Sequence, residues 1–328
     1  MGANADLIAG RGSTKTQGEV RTTGGVESPV ESPSELSPLL PPKSSLTSSS
    51  KPNYQPQASD TNIEADKYLF ARLRQLSLKQ RLEMLVVHDR GVKKLCLVGI
   101  KSRHRGASVE EIRCVFTRAV LGEKYSLDFH PQGNDENMWI QDSISLAAEL
   151  HQIFESTNIP YYVSGGVASS LHGEPRSTRD LDLVISVQSD QIDLLVATLE
   201  DAGYYCPAGA VEGLKQGSER MLNITHTETI ANADLYITDV SPFAVSQMAR
   251  RRLIDLEGIP AFWVASPEDT ILQKLRWGRG SQSEKQWRDV LGIMKLQAES
   301  LDYTYLAEWS EFLDLVDALY RAFTEAGV

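Results

Sequence analysis

No run of 18 apolar residues occurs anywhere in this 328-residue chain, and no apolar stretch follows its first residues, so the sequence predicts neither a membrane span nor a secretory leader. Cysteine is scarce. Cys96, Cys114 and Cys206 are odd in number, far apart and without metal-ligand spacing, which excludes a disulfide framework and points to free thiols in a reducing compartment, the cytoplasm. Positive charge is also short: 33 Lys and Arg stand against 44 Asp and Glu, a net charge of -11. That balance argues against a broad nonspecific nucleic-acid footprint, on DNA above all. Large apolar residues are few between Glu27 and Gln57, where Ser, Pro and Thr dominate. Such a segment cannot bury enough apolar area to offset chain entropy, so residues 1–62 are expected to form a disordered tail. The chain as a whole is 41% apolar, enough for a buried core.

What the chain does have is concentrated in residues 165 to 182, GGVASSLHGEPRSTRDLD. The apolar run Pro160 to Ser164 before it and Leu181 to Ile185 at its end read as strands, giving strand, glycine turn, short helix, loop, strand. Side chains alternate along a strand, so Asp180 and Asp182 share one face while Leu181 and Leu183 turn to the core. Two carboxylates on one face suit a hard divalent cation such as Mg²⁺. Gly165 and Gly166 let a phosphate approach the backbone, and the helix they open aims N–H groups at it. Taken singly, each piece has an ordinary structural explanation; the joint spacing GG-x5-HG-x2-R-x-T-x-D-x-D between two strands does not. His172, before Gly173, fits the C-terminal dipole of a short helix better than a ligand or base role.

This segment resembles the core motif of the polymerase-β-like nucleotidyltransferase superfamily, and most closely the minimal nucleotidyltransferases related to the toxin component of AbiEii/AbiGii systems. The resemblance implies a small mixed sheet flanked by helices. It implies that Ser164, Gly165 and Gly166 hold nucleotide phosphates and that Asp180 and Asp182 bind Mg²⁺. A third carboxylate from a neighbouring strand would complete a two-metal site: Asp234 in Ala233-Asp234-Leu235-Tyr236-Ile237 is the best match, Asp239 the weaker one. Arg176, Thr178 and Lys274 would be further nucleotide contacts, although Lys274 also suits a solvated helix face. Ser266-Pro267-Glu268-Asp269 opens a helix with a capping pattern, and the later Arg288-Asp289 pair extends the likeness, which spans about residues 140 to 300. The stretch Gly203 to Thr229 matches nothing in the pattern.

The implied activity is Mg²⁺-dependent transfer of a nucleoside monophosphate from an NTP to an acceptor hydroxyl with release of pyrophosphate. The family implies RNA, particularly tRNA, or a protein side chain as acceptor, a toxin role and a cognate antitoxin. Two alternatives stay open: a catalytically silent nucleotide-binding or regulatory protein of the same fold, and a transferase acting on small molecules of the aminoglycoside kind. Asp234 discriminates the first, because it must stand beside Asp180 and Asp182; a deep acidic acceptor cleft, rather than an open basic rim, marks the second.

The remaining chain sets the frame for an α/β (α+β) fold. Residues 63–125 read as a small helical module, with capping boxes at Ser77-Gln80 and Ser108-Glu111, a stripe of Leu82, Leu85, Val86, Leu95 and Val98, and a stop at Gly122. It is either a stabilising appendage or an intramolecular partner of the unit that follows. The nucleotidyltransferase domain is expected over residues 138–265, beginning with a helix from Asp142, and residues 266–328 form a helical C-terminal part. Leu253–Leu256 and Ala261–Val264 read as a hairpin. Three basic clusters, at Lys101 to Arg105, Arg250 to Arg252 and Lys274 to Arg279, are either solvated turns or RNA contacts; Trp277 in the last is either a stacking surface or core.

Overall fold

The computed structural model describes residues 54–281 and 283–328, so most of the expected tail, residues 1–53, lies outside the described residues. Residues 54–62, also assigned to the tail, are packed: Tyr54 donates its hydroxyl to Asp66 (2.5 Å), and Gln55 bonds through its backbone to Glu325 (2.8 Å).

Three helices come first: α1 (Ile63–Gln75), α2 (Leu78–Arg103) and α3 (Val109–Leu121). Both expected capping boxes form, at Ser77 with Gln80 and at Ser108 with Glu111, satisfying N-terminal amides that would otherwise be orphaned. The stripe on α2 differs from expectation. Leu82 and Leu85 are buried, but Leu95 is 74% and Val98 57% exposed, and Leu97 and Ile100 take the buried positions instead. A helix this long meets different neighbours at its two ends. Its first half packs into the main core, while its second half joins Ile112, Phe116, Phe129 and Trp139 in a separate cluster.

The chain then forms a short 3-10 turn (Gly122–Lys124), α4 (Glu136–Trp139) and α5 (Ser143–Ser156), the last capped by Asp142, which accepts from the Ile144 and Ser145 amides. The next elements are β1 (Tyr161–Val163), α6 (Gly165–His172), β2 (Leu181–Ile185), α7 (Ile192–Asp201), β3 (Tyr204–Tyr205), α8 (Ala208–Gln216), β4 (Met221–His226) and β5 (Asn232–Ile237). After α9 (Pro242–Arg250) comes the expected hairpin, β6 (Arg252–Leu256) and β7 (Ile259–Val264), turning at Glu257 and Gly258. Four helices close the fold: α10 (Pro267–Ser281), α11 (Glu284–Gln297), α12 (Tyr303–Phe312) and α13 (Val316–Ala326).

The strands form one mixed sheet in the order β3-β4-β5-β2-β1-β7-β6. β2 runs parallel to β5 and antiparallel to β1, and β1 is parallel to β7. This is the expected α/β architecture of a mixed sheet flanked by helices. Alternation divides the sheet into two faces. One carries Val163, Leu183, Ile185, Ala233, Leu235, Phe262 and Val264 into the main core, which also takes in Leu82 and Leu85 of α2. Burying such a side chain contributes about 1.5–3 kcal/mol, so α2 is anchored to the sheet layer by its first half. The other face carries Tyr162, Val184 and Tyr236, and also Asp182 and Asp234. Among the described residues no helix is long and apolar enough to cross a membrane. Cys96, Cys114 and Cys206 are free thiols, and burial pushes the Cys206 thiol up to about 12.

Candidate functional site

The motif folds as strand, turn, helix, loop and strand, and the turn is built around glycine. Gly165 has φ +57°, in the left-handed region, and a Cβ there would collide with the Asp182 carboxylate. A Cβ on Gly166 would lie 2.6 Å from Thr178 Oγ1. The glycine pair therefore lets the start of α6 press against both the aspartate strand and the loop before it. The Gly166 amide donates to Asp182 Oδ2 (3.3 Å), and the Ser164 amide donates to the Asp182 carbonyl (2.8 Å).

Asp182 and Asp234 are paired in register on the parallel strands β2 and β5, and Asp180, just before β2, reaches the same lysine as Asp234. Asp239, the weaker sequence candidate for the third position, is used elsewhere: it accepts from the Ser241 amide and hydroxyl in front of α9. The carboxylates share a cation of the chain's own. Lys124 Nζ lies 2.7 Å from Asp180 Oδ2 and 2.5 Å from Asp234 Oδ2. Burial opposes the charge on Lys124, but the bonds to Asp180 and Asp234 outweigh it and hold the ammonium above the ordinary lysine range. Asp234 Oδ1 accepts from Asn223 Nδ2 (2.7 Å), whose residue pairs with Asp234 across β4 and β5. Asp182 meets less compensation. Burial raises its pKa, and the charges of Asp234 and Asp180 raise it further, against the Gly166 amide and Lys124.

Sequence reasoning missed Lys124 and Asn223. Asn223 lies in the stretch that matched no pattern, and Lys124 lies 56 and 110 residues from its two partners.

The other expected nucleotide contacts are tied to protein groups. Ser164 is fully buried and donates to Gln273 Oε1 (2.7 Å). Arg176 grips Asp289 through two nitrogens, at 2.9 and 2.7 Å, and Lys274 reaches the same carboxylate at 2.8 Å. Lys274 is thus a buried residue and not part of a solvated helix face. Burial pushes Asp289 up, but its two cations outweigh burial and hold it below the usual carboxylate range. Thr178 has a positioning part: its hydroxyl donates to the Asp180 carbonyl (3.0 Å), and its amide donates to Asp89 Oδ1 (3.0 Å). Asp89 belongs to α2 and also accepts from Ser143 (2.5 Å), so the helical segment before residue 125 enters the site through both Asp89 and Lys124.

Next to the carboxylates stands an aromatic pair. Tyr236 follows Asp234 on the same strand face, and burial, then the charges of Asp182, Asp234 and Asp180, push its hydroxyl up to about 12. Its ring lies 6.5 Å from that of Trp277, which is 43% exposed and so is not the core residue that one reading of the sequence expected. Of the other basic clusters, Arg250 lies over the Tyr305 ring and binds Glu268 and Arg251 lies over Trp263, whereas Lys101 to Arg105 are all exposed and Lys101 pairs with Glu136. His172 is 5% exposed, bonded through Nε2 to the Ala265 carbonyl, and burial lowers its pKa to about 4; it is neutral, and does not act as a charged partner of the helix dipole.

The donor set has the chemistry a hard cation requires, three carboxylates with an ammonium already between two of them. Among the described residues no group of three or more His, Cys, Asp or Glu stands arranged to hold a metal ion; here Lys124 bridges Asp180 and Asp234, and Asp182 accepts from Gly166. A cavity of about 480 Å³ exists elsewhere, lined by Glu149, Tyr204, His226 and Glu228 among others, and shares no residue with the carboxylate cluster.

No protein-family model matches the chain, and no curated protein is similar to it. Solved structures similar to part of it include an antigenic nucleotidyltransferase-like protein from Paracoccidioides brasiliensis, at 22% identity over 54% of this chain and 92% of that one, TM-score 0.37. They also include the lincosamide antibiotic adenylyltransferase LnuA bound to lincomycin, at 15% identity over 45% and 94%, TM-score 0.33. A third is the antibiotic-resistance factor ANT(2'')-Ia, at 16% identity over 54% and 97%, TM-score 0.36.

Proposed function

We propose that this chain transfers a nucleoside monophosphate from an NTP to an acceptor hydroxyl, with release of pyrophosphate and dependence on Mg²⁺. The observation that carries the reading is the convergence of Asp180, Asp182 and Asp234 on one sheet face beside the glycine-opened start of α6. Carboxylates are costly to gather in a half-buried site unless a cation offsets them. Asp180, Asp182 and Asp234 would hold Mg²⁺, which when bound supplies charge stabilisation at the attacking and leaving oxygens.

The chain's own residues then account for binding and orientation. The first turn of α6 offers backbone amides to phosphate oxygens at the positive end of the helix. Gly165 and Gly166 let that helix start lie directly against Asp182 and Thr178, beside the carboxylates. Arg176 and Lys274, both on Asp289, add positive potential behind the phosphates. Tyr236 and Trp277 supply an aromatic surface for the base. The acceptor oxygen bonds to the α-phosphorus, the bond from that phosphorus to the bridging oxygen breaks, and the hydroxyl proton passes to the carboxylate cluster. The acceptor proposed is RNA, particularly tRNA, or a protein hydroxyl, and a toxin role with a cognate antitoxin belongs to the same reading.

Silent retention of the fold is the competing reading, and one observation favours it: Lys124 holds two of the three carboxylates. Incubation with each α-labelled NTP and Mg²⁺ over total RNA and total protein decides between them, beside an Asp180→Ala/Asp182→Ala variant. Label should enter one acceptor pool and vanish with the double variant. Label in no pool, or equal label with the variant, would remove the enzyme reading.

A further inference from the structure

Lys124 ends a 3-10 turn whose first residue, Gly122, has φ +56°. That turn sends the lysine side chain from the end of α3 to the aspartates, and Lys124 is 28% exposed there. The chain contains a useful contrast. Lys295 and Asp66 form an ion pair with each side chain only 1% exposed, enclosed by Tyr54 and Phe70, as expected of a permanent structural pair. Lys124 instead sits at the edge of its carboxylates with a way out to solvent.

A divalent ion bound to Asp180 and Asp234 needs the same oxygens. Mg²⁺ stands about 2.0–2.1 Å from its ligands, so an ammonium kept on those oxygens would face it at only a few ångströms, with strong repulsion in a half-buried site. The two cations exclude each other. With Lys124 in place, one ammonium offsets part of the negative charge of the three carboxylates.

Resting on the reading that these carboxylates take a divalent ion, we propose that Lys124 is a built-in counter-cation that the ion must displace. Metal loading and release of Lys124 are then one event, and the affinity for metal is set partly by how tightly the lysine holds Asp180 and Asp234.

The test uses the full chain without nucleotide. Mn²⁺ binding is followed by the electron paramagnetic resonance signal of the free ion, and melting by circular dichroism, for the native protein, Lys124→Met, Lys124→Arg and Asp234→Asn. Lys124→Met should bind Mn²⁺ at least about tenfold more tightly, because no charge has to be expelled. Its melting temperature should fall below the native one without metal and recover with Mn²⁺, while Lys124→Arg should bind no more tightly than the native chain. Equal or weaker binding by Lys124→Met, with binding lost in Asp234→Asn, would overturn the displacement and leave the metal site standing. Absence of Mn²⁺ binding in every protein would remove the metal reading and the displacement with it. Should Lys124→Met fail to fold, amine acylation of the native chain read by mass spectrometry gives the same answer: Mn²⁺ should raise labelling of Lys124 and not of Lys101, which pairs with Glu136. Unchanged labelling of Lys124 would overturn the proposal.

Discussion

Asp182 and Asp234 face the same side of the sheet at matched positions of two parallel strands, and the charge of each raises the cost of the other. The fold keeps this repulsion in place with one lysine, one asparagine and one backbone amide.

Replacing Asp182 by Asn removes a buried charge yet leaves an oxygen for the Gly166 amide. Asp182→Asn should therefore melt no lower than the native protein while nucleotidyl transfer falls about a hundredfold or more. Melting curves read beside label transfer check this. A variant that melts well below the native chain, or keeps its turnover, refutes the assignment.

Gly165→Ala places a methyl group against Asp182 in a left-handed backbone position. We expect a loss of about 1–3 kcal/mol in urea unfolding, together with loss of transfer. Gly209→Ala serves as control, since Gly209 lies within α8 with nothing near its missing Cβ, and there Ala should be neutral or stabilise by about 0.4–1 kcal/mol. Equal effects at the two positions would show that the turn is ordinary.

Trp277→Ala removes half of the proposed base surface. NTP binding should weaken by about 1–3 kcal/mol, and binding of inorganic tripolyphosphate, which has no base, should hold. Calorimetric titration with both ligands distinguishes the cases; an equal loss for both would mean that the ring does not serve the base.

His172 carries a pH prediction. Its pKa is about 4 in the fold, against about 6.5 in an unfolded chain, so below pH 6.5 the unfolded chain takes up a proton that the fold refuses. Its contribution to stability is full above pH 6.5 and is lost as the pH falls towards 4, by up to about 3 kcal/mol. His172→Gln keeps an N–H for the Ala265 carbonyl and cannot titrate, so its unfolding free energy should fall less between pH 7 and 5. Parallel curves for the two proteins would remove His172 as the cause.

Much of this fold was legible because its signals are local. Ser77 and Ser108 announce their helices through residues three positions away, and the alternation of Leu181 to Ile185 and Ala233 to Ile237 places the aspartates on the face away from the core. The distant partners were not legible. Nothing around Lys124 distinguishes it from a solvated lysine after a helix stop, and Asn223 has meaning only through its register with Asp234. On α2, two apolar stripes compete within one helix, and which is buried depends on neighbours the local pattern does not contain. Trp277 illustrates the converse: apolar character suggested burial, but the ring is 43% exposed beside Tyr236.

Asp89 and Lys124 lie upstream of the first strand, yet one carries the Thr178 amide and the other offsets Asp180 and Asp234. An expression fragment begun at residue 138 would thus retain every recognisable motif and still leave its acidic strands without their native neutraliser. Such a truncation, if it gave inert protein, would say nothing about the chemistry of the intact polypeptide.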